Sequence, residues 1–347
     1  MSLHFYSLKI AKIVKETEDS SSLLFELSKS DRKKYKFEAG QYLNVRITVN
    51  GNEERRSYSI FTSPSSKELG VAIKRVKDGL VSNHIIDNLK EGDSIEVMPP
   101  AGHFTLEKPK KVSEVVFFAA GSGITPQMSL IQDVLDRTKK TAVQLHYGNR
   151  TESSIIFKNS LSELVSKNSK RFDVSHYLTN APENWSGNTG RIDASACKAV
   201  IESLASPKEA LFFICGPELM MDSLEVTLVA AGIDKSNIHI EHFLHAKQEA
   251  VLKSNNTEQD IQVILDGESH PIHVKKGESI LDAVMDANLD PPYSCQSGIC
   301  TTCMAKLVSG TVEMEEDLGL SEHDKEEGYI LTCQAHPTSK EVVVEYE

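Results

Sequence analysis

The stretch Glu114-Val-Val-Phe-Phe-Ala-Ala120 is an almost continuous apolar run, and Gly121-Ser-Gly-Ile-Thr-Pro126 follows it directly. The run has the length of a strand and lacks polar alternation, which is typical of a parallel strand buried on both faces. Similar runs recur at Ala142-Val-Gln-Leu-His-Tyr147 and Ala210-Leu-Phe-Phe-Ile-Cys215, with helical patterns between them. Strands that alternate with helices predict a parallel α/β sheet covered by helices.

The residues before this sheet follow a different pattern, in which apolar and polar residues alternate along short runs. Tyr42-Leu-Asn-Val-Arg-Ile-Thr-Val49 and Leu69-Gly-Val-Ala-Ile-Lys-Arg-Val76 are two such runs, and the turn dipeptide Asn50-Gly51 follows the first. Period-two alternation with tight turns indicates antiparallel strands. We therefore expect an antiparallel β-barrel domain at residues 1–108 and the α/β domain at residues 109–245.

The residues after the sheet predict a linker and a third domain. Residues 246–259 are mostly polar, with few apolar anchors, which is typical of a linker. Residues 260–347 begin with a hairpin pattern around Asp266-Gly267, and a helix is expected after Ser279. A hairpin followed by a helix indicates an α+β domain.

Length and charge exclude several classes of protein. The chain has 347 residues, enough for two or three domains, and its net charge of −12 comes from 38 basic and 50 acidic side chains. This charge repels phosphate backbones, so a nucleic-acid partner is not expected. No apolar run reaches the roughly 20 residues of a membrane span, and the first residues do not resemble a secretion signal. We therefore expect a cytoplasmic protein that does not enter a membrane.

The cysteines give the first indication of chemistry. Four of the six lie near the C-terminal end, at Cys295, Cys300, Cys303 and Cys333. Their spacing, C-x4-C-x2-C followed by a distant cysteine, is typical of the plant-type [2Fe–2S] cluster loop, and Gly298 permits the close backbone approach that such a loop needs. A tetrahedral zinc site is the alternative, although zinc ribbons usually contain two C-x2-C pairs.

Residues 260–347 resemble a plant-type ferredoxin domain, which has a β-grasp fold, and the N-terminal part is similar to the ferredoxin–NADP⁺ reductase superfamily. The second resemblance starts at Arg56-Ser57-Tyr58-Ser59, which matches the R-x-Y-S motif of that superfamily. It implies that Arg56 meets a flavin phosphate, that Ser57 belongs to the flavin site, that Tyr58 packs on the isoalloxazine ring and that Ser59 lies near flavin N5.

A second flavin segment is found at residues 74–83. The resemblance implies that a turn at Gly79 and the helix start after it, with Val81 and Ser82, bind a diphosphate through backbone N–H groups. A diphosphate favours FAD. FMN stays open, because similar reductases with FMN and a ferredoxin domain exist.

The turn at residues 121–126 matches the G-x-G-I-T-P form of the same superfamily. A helix N-terminus directly after a buried strand can hold a pyrophosphate through backbone N–H groups and the helix dipole. The resemblance implies that Gly121, Gly123 and Pro126 bind the nicotinamide dinucleotide and that Thr125 lies near the nicotinamide ring.

A further match is Cys215-Gly216-Pro217, which corresponds to the C-G-P segment of the superfamily. It implies that Cys215 approaches the nicotinamide, while a buried cysteine at a strand end is the alternative. The candidate catalytic residues are therefore Tyr58, Ser59, Thr125 and Cys215.

Two further segments are expected to contact the cofactors. Arg150, with Ser153 and Ser154, could contact the 2′-phosphate of the adenosine ribose, which favours NADPH. The alternative is that Glu152 accepts a hydrogen bond from the free 2′-hydroxyl of NADH. The segment ending at Phe243 resembles the aromatic end of the reductase module, where a ring approaches the flavin. Packing of Phe243 in the core is the alternative.

The order of flavin, nucleotide and ferredoxin domains resembles that of oxygenase reductases, the reductase components of phenylacetyl-CoA epoxidases among them. It implies that hydride passes from NAD(P)H to FAD and that electrons then pass singly through the [2Fe–2S] cluster to a partner oxygenase or another redox protein. A general diaphorase is the alternative function. The acidic residues at 313–327 are either a solvated face or a docking surface for a basic acceptor.

Overall fold

The structure is a computed structural model that describes residues 4–106, 112–243 and 258–346. Its contacts divide the chain into two compact units. Among the described residues, one unit contains residues 4–5, 44–57 and 258–346, and the other contains residues 6–43 and 58–243. None of the helices in the described part of the chain has the length and apolar character needed to cross a bilayer.

The N-terminal residues form antiparallel strands, as the alternating pattern predicts. The strands are β1 (Tyr6–Lys15), β2 (Ser20–Glu26), β3 (Tyr42–Val49), β4 (Asn52–Ser59), β5 (Leu69–Lys74) and β6 (Ser94–Val97), with helices α1 (Asp31–Lys34) and α2 (Leu80–Asn88). Within the larger unit, the sheet runs in the order β6-β1-β2-β5, and each pairing is antiparallel. Asn50 and Gly51, between β3 and β4, both have positive φ angles, which a tight hairpin turn requires.

The middle residues form a six-stranded parallel sheet. Its strands are β7 (Glu114–Ala120), β8 (Ala142–Asn149), β9 (Phe172–Leu178), β10 (Asn188–Thr189), β11 (Leu211–Cys215) and β12 (Ile238–Glu241). Its helices are α3 (Ile124–Arg137), α4 (Lys158–Lys167), α5 (Ala194–Ser203) and α6 (Glu218–Ala230). The order is β10-β9-β8-β7-β11-β12. In β7, Phe117 packs into one buried cluster and Phe118 into another, which explains why this strand is apolar at successive positions.

The C-terminal residues form a mixed sheet with a helix beside it. The elements are β13 (Gln259–Leu265), β14 (Glu268–Val274), α7 (Ile280–Asp286), β15 (Met304–Ser309), β16 (Val312–Met314), α8 (Glu322–Glu326), β17 (Tyr329–Leu331), β18 (Ala335–Pro337) and β19 (Val343–Glu345). The main sheet has the order β14-β13-β19-β15-β17, and β19 is parallel to β13 but antiparallel to β15. A smaller sheet pairs β16 with β18.

Two local predictions in the C-terminal residues are confirmed. Asp266 and Gly267 have φ angles of 52° and 81° and form the hairpin turn between β13 and β14. Ser279 caps α7 by accepting a hydrogen bond from the backbone N–H of Asp282. Residues 246–257 of the predicted linker lie outside the described residues. Gln259, the last residue of that predicted linker, is the first residue of β13. The predicted fold class, with antiparallel, parallel α/β and α+β parts, is confirmed.

Candidate functional site

The four C-terminal cysteines are arranged as two pairs. The backbone N–H of Cys300 lies 3.3 Å from Sγ of Cys295, and the backbone N–H of Cys295 lies 3.5 Å from Sγ of Cys300. The side chains of Cys303 and Cys333 are hydrogen-bonded to each other. Cys300, Cys303 and Cys333 are buried, and Cys295 is partly buried. The loop and the distant strand end therefore bring the predicted ligands together.

The electrostatics around Cys295 fit a thiolate ligand. A hydrogen bond from the Cys300 side chain lowers the pKa of Cys295, and backbone N–H groups of Ser297, Ile299 and Cys300 lower it further, against the effect of burial. Amides that point at a ligand sulfur are typical of iron–sulfur sites. Within the described ranges, no three histidine, cysteine or acidic side chains converge closely enough to hold one ion. The four thiols lie in two pairs, and a [2Fe–2S] cluster takes two protein ligands at each of its two irons.

Gly298 is required by the geometry of this loop. Its φ angle is +75°, and a Cβ atom would lie 2.7 Å from Cβ of Glu316 and 2.9 Å from the Glu316 carbonyl oxygen. Its own carbonyl oxygen accepts a hydrogen bond of 2.8 Å from the N–H of Gly319. The loop is thus folded tightly against the segment that follows β16.

The glycine-rich turn after β7 is packed against the end of β11. Residues 121–123 form a single 3-10 turn, and α3 begins at Ile124 with no side chain of the described residues capping it. A Cβ atom on Gly123 would overlap the carbonyl oxygen of Cys215 and would lie 3.0 Å from the N–H nitrogen of Gly216. The two predicted nucleotide-binding segments therefore meet at the carboxyl ends of neighbouring parallel strands, where ligands of such sheets bind.

The remaining residues of these two turns shape the same surface. Thr125 is buried and donates its hydroxyl to the Ser122 carbonyl oxygen at 3.0 Å, and Pro126 lies in the first turn of α3. Pro217 is the residue before α6, whose N-terminus also has no side-chain cap among the described residues. Helix starts without a cap keep N–H donors available for a phosphate.

Cys215 is fully buried at the end of β11. Burial first, and the charge of Glu241 second, raise the pKa of its thiol well above the ordinary value. The thiol therefore stays neutral and is not an activated nucleophile.

The predicted adenosine end lies at the carboxyl end of β8. Arg150 is exposed there, beside an open cleft of about 430 Å³ that Ser153 helps to line. Ser154 donates its hydroxyl to the Thr151 carbonyl oxygen at 2.8 Å, so its only proton is already used within the turn. Glu152 forms an ion pair of 2.7 Å with Lys158. The Ser153 hydroxyl lies 3.1 Å from that of Thr151, so Arg150 is the exposed charged group of this turn that can meet a phosphate.

The predicted flavin residues lie on β4 and at the start of α2. Arg56 is exposed and pairs with Glu54 at 3.1 Å, whereas Ser59 is buried and Tyr58 is partly buried. Ser57 donates its hydroxyl to the Asn44 side chain at 2.7 Å. An exposed arginine held by one carboxylate can exchange that partner for a phosphate.

The second flavin segment is a tight turn. A Cβ atom on Gly79 would lie 2.8 Å from Cβ of Val76 and 2.9 Å from Oγ of Ser82, and that hydroxyl accepts from the Val76 N–H at 3.1 Å. Val81 is buried, which fixes the first turn of α2, and none of the described side chains caps this helix. Its first N–H groups are therefore free to face an anion.

Phe243 follows β12 and is partly buried, and Glu241 ends that strand in register with Cys215. Burial raises the pKa of Glu241 from 4.5 to about 8. Between these two pH values the carboxyl of Glu241 is protonated in the folded state and ionised in the unfolded state. The free energy of unfolding is therefore highest at low pH and falls as the pH rises through this range.

We expect the melting temperature of the wild type to fall relative to that of Glu241→Gln as the pH is raised from about 5 to about 8, because the glutamine has no proton to lose. Circular dichroism at each pH measures both curves. Parallel curves would show that Glu241 is ionised throughout this range.

Three contacts of the site were not predicted from the sequence. Tyr147 is fully buried and donates its hydroxyl to the Gly121 carbonyl oxygen at 3.0 Å. Asn44 and Arg55 contact the cysteine loop, more than 230 residues away in the chain. For Arg55 the sequence did contain an indication. Two adjacent arginines in one strand point to opposite faces and cannot bind the same phosphate, so one of the two must have another partner.

Comparisons with known proteins cover almost the whole chain. Residues 7–106 match the oxidoreductase FAD-binding domain family, residues 117–225 match the oxidoreductase NAD-binding domain family, and residues 263–338 match the 2Fe-2S iron-sulfur cluster binding domain family.

Among curated proteins, the chain is 34% identical over 351 residues to a component of 1,2-phenylacetyl-CoA epoxidase from Escherichia coli (strain K12), with 99% of this chain and 98% of that protein covered. It is 36% identical over 360 residues to the ferredoxin reductase component of 3-ketosteroid-9-alpha-monooxygenase from Mycolicibacterium smegmatis, with coverage of 99% and 98%. Among solved structures it is similar to phthalate dioxygenase reductase, with a TM-score of 0.62, 26% identity and coverage of 99% and 98%.

Proposed function

The chain belongs to the family of oxygenase reductase components that join FAD-binding, NAD-binding and [2Fe–2S] domains, and from this premise we propose its donor, its acceptor and the roles of its site residues. The predicted NAD(P)H-dependent oxidoreductase that passes electrons to an oxygenase is confirmed, as are FAD and the [2Fe–2S] cluster as its cofactors. The predicted partner class, a separate oxygenase, is confirmed as well.

For the cluster, we propose Cys295, Cys300, Cys303 and Cys333 as the ligands. The observation that carries this proposal is the arrangement of the four thiols as two hydrogen-bonded pairs within one domain. When bound, the flavin accepts hydride from a nicotinamide and releases single electrons, which the cluster can carry. The protein then has to bind and orient these groups.

For the flavin, we propose that Arg56 contacts a phosphate and that the uncapped start of α2, shaped by Gly79, Val81 and Ser82, contacts the diphosphate. Arg56 supports this role because it is exposed and charged. Ser57, Tyr58 and Ser59 follow it on β4 and are proposed to border the isoalloxazine ring, with Phe243 beside the ring.

For the nicotinamide, we propose that Gly121, Gly123, Pro126, Gly216 and Pro217 form the dinucleotide site. The close approach of Gly123 to the Cys215–Gly216 backbone supports this proposal, because it joins the two segments into one surface. Thr125 and Cys215, both buried beside it, are proposed to contact the nicotinamide ring together with Tyr58 and Ser59.

We propose NADPH as the preferred donor and expect Arg150→Ala to raise the KM for NADPH roughly tenfold or more while changing the KM for NADH little. A 2′-phosphate loses its charged partner in this variant, whereas a free 2′-hydroxyl does not need one. Steady-state kinetics with both nucleotides measure the ratio. Lys158→Ala is the matched control, because Lys158 is an exposed base already paired with Glu152. An equal rise in KM for both nucleotides would assign Arg150 to the pyrophosphate instead.

We propose a phenylacetyl-CoA epoxidase as the acceptor, and cytoplasm as the location. The 34% identity to the Escherichia coli epoxidase component, over nearly the full length of both chains, supports this acceptor. The 36% identity to the steroid monooxygenase component makes a 3-ketosteroid oxygenase the alternative acceptor. The test is reconstitution of the purified, iron-loaded protein with the other epoxidase components or with a 3-ketosteroid oxygenase. Faster NADPH-dependent product formation with the epoxidase is expected. Preference for the steroid oxygenase would overturn the assignment.

The acidic segment at 313–327 is partly committed to contacts within its own domain. Glu315 lies 2.8 Å from Nε2 of the buried His336, and Asp317 forms an ion pair of 2.8 Å with Lys325. We propose that Glu313 and Glu316, which are exposed, contribute to docking of a basic acceptor surface.

A further inference from the structure

The arginine pair of β4 is divided between two tasks. Arg55 is only 6% exposed, while its neighbour Arg56 is exposed and pairs with Glu54. Nη2 of Arg55 donates to Oδ1 of Asp290 at 2.9 Å, and Nε donates to Oε1 of Glu53 at 2.8 Å. Successive side chains of a strand point to opposite faces, so one arginine is used inside the protein and the other is left for a ligand.

Arg55 also stacks on an aromatic ring of the segment at residues 290–303, which carries three of the four cysteines and is called the cluster loop below. Its guanidinium carbon lies 4.0 Å from the ring centroid of Tyr293 and 5.1 Å from that of Phe5. Tyr293 is two residues before the ligand Cys295, and Asp290 is five residues before it. The planar guanidinium donates to both carboxylates in a fixed geometry while its face stacks on the rings, so it holds these partners in one orientation. A lysine or a neutral side chain lacks this planar fork.

A second contact joins the same hairpin to both sides of the loop. Nδ2 of Asn44 donates to Oγ1 of Thr302 at 2.9 Å, and the hydroxyl of Ser57 lies 3.0 Å from that of Ser294. Asn44, Ser294 and Thr302 are all buried. Ser294 directly precedes one ligand and Thr302 directly precedes another, so the hairpin of β3 and β4 contacts the loop at its entrance and at its exit.

We propose that Arg55 is a positioning residue for electron transfer, which fixes the cluster loop against the β3–β4 hairpin that continues into Tyr58 and Ser59. The proposal rests on the proposed function, in which those two residues border the flavin. Each transfer moves one electron from the reduced flavin to the oxidised cluster, so two transfers follow each hydride that NADPH donates. Arg55 contacts neither the nucleotide nor the acceptor in this scheme and acts through Tyr293 and Asp290.

The test compares Arg55→Gln with Arg55→Lys in the full-length protein loaded with flavin and iron. Stopped-flow absorbance follows flavin reduction by NADPH, and steady-state assays follow an acceptor whose reduction needs the cluster, such as cytochrome c. We expect flavin reduction to be unchanged in both variants and acceptor reduction to fall roughly tenfold or more in Arg55→Gln, since small misplacements of a reacting group have large effects. Arg55→Lys should restore part of the rate, because it keeps the charge.

A structural readout accompanies the rates. Hydrogen–deuterium exchange of the backbone amides at residues 293–303 should become faster in Arg55→Gln than in the wild type. The matched control is Arg32→Gln, which removes an exposed arginine that donates to the Lys67 carbonyl oxygen and should change neither readout.

Asp290→Asn tests the ion pair from the other side. Asp290 is 76% exposed, so we expect a smaller loss of acceptor reduction than in Arg55→Gln, and no further loss when the two substitutions are combined. Additive losses would mean that Arg55 acts through other partners and would overturn this part of the proposal.

Several results would overturn the proposal as a whole. Wild-type acceptor reduction in Arg55→Gln would do so, as would an equal loss of flavin reduction, which would place Arg55 in the flavin site. Loss of iron from the variant would make Arg55 a determinant of cluster binding instead. A wild-type preparation without iron would contradict the proposed function itself, and this outcome is distinguished by iron analysis before any variant is compared.

Discussion

Cys300→Ser is expected to reduce electron output by at least roughly 100-fold, because even residues that only orient a metal ligand change affinity or activity by 10- to 100-fold. Cys300 is buried, and its side chain and backbone both contact Cys295, so its replacement disrupts one of the two thiol pairs. Flavin reduction by NADPH should continue at the wild-type rate, since none of its proposed residues is changed. Cytochrome c reduction measures output, and stopped-flow absorbance at the flavin bands measures the first step.

The matched control for this variant is Cys197→Ala. Cys197 is also buried, but it lies on α5, outside the C-terminal domain. Iron content and both rates should be unchanged in the control. If folded Cys300→Ser lost flavin reduction as well, the proposed order of nicotinamide, flavin and cluster would be wrong.

Gly123→Ala is expected to impair use of the nicotinamide donor strongly. The added Cβ atom would overlap a backbone carbonyl of β11, and backbone cannot move aside as a flexible side chain can. We expect a loss of about 1–3 kcal/mol in the free energy of unfolding and a fall of roughly 100-fold in flavin reduction by NADPH. Chemical denaturation measures the first effect and stopped-flow absorbance the second.

Gly148→Ala separates this effect from the general consequence of adding a methyl group. Gly148 lies in the same parallel sheet, and its Cβ atom would meet only ordinary contacts, with Cδ1 of Ile192 nearest at 3.5 Å. Its stability should stay close to that of the wild type. Reduction of the flavin by dithionite should proceed in Gly123→Ala, because a chemical reductant does not need the nucleotide site. Normal flavin reduction by NADPH in that variant would remove Gly123 from the proposed site.

The sequence predicted the parts of this protein that depend on short-range spacing. The contact between Cys295 and Cys300, the Asp266-Gly267 turn and the cap at Ser279 each depend on residues within a few positions of one another, and the structure contains all three. The apolar run of β7 predicted its burial on both faces for the same reason, because burial leaves a local pattern.

Contacts between distant segments could not be predicted in this way. Ser154 matched a phosphate-binding pattern, but its hydroxyl proton is used by Thr151 in a turn that propensity alone does not specify. Arg55 was one of two equivalent arginines in a motif, and only the fold places Asp290 beside it. Where a side chain has several possible partners, the tertiary structure determines which one it contacts, and a single sequence does not show that structure.

The strand β19 joins the two halves of the C-terminal sheet. This strand, at residues 343–345, lies between β13 and β15 and is the neighbour that both share in the main sheet. Tyr346, just after it, donates its hydroxyl to Thr332, the residue before Cys333. Cys303 directly precedes β15, and Cys333 follows β17, the partner of β15. Without β19 the two halves of the sheet would have no shared neighbour, and these two cysteines would lose the backbone that keeps them in place.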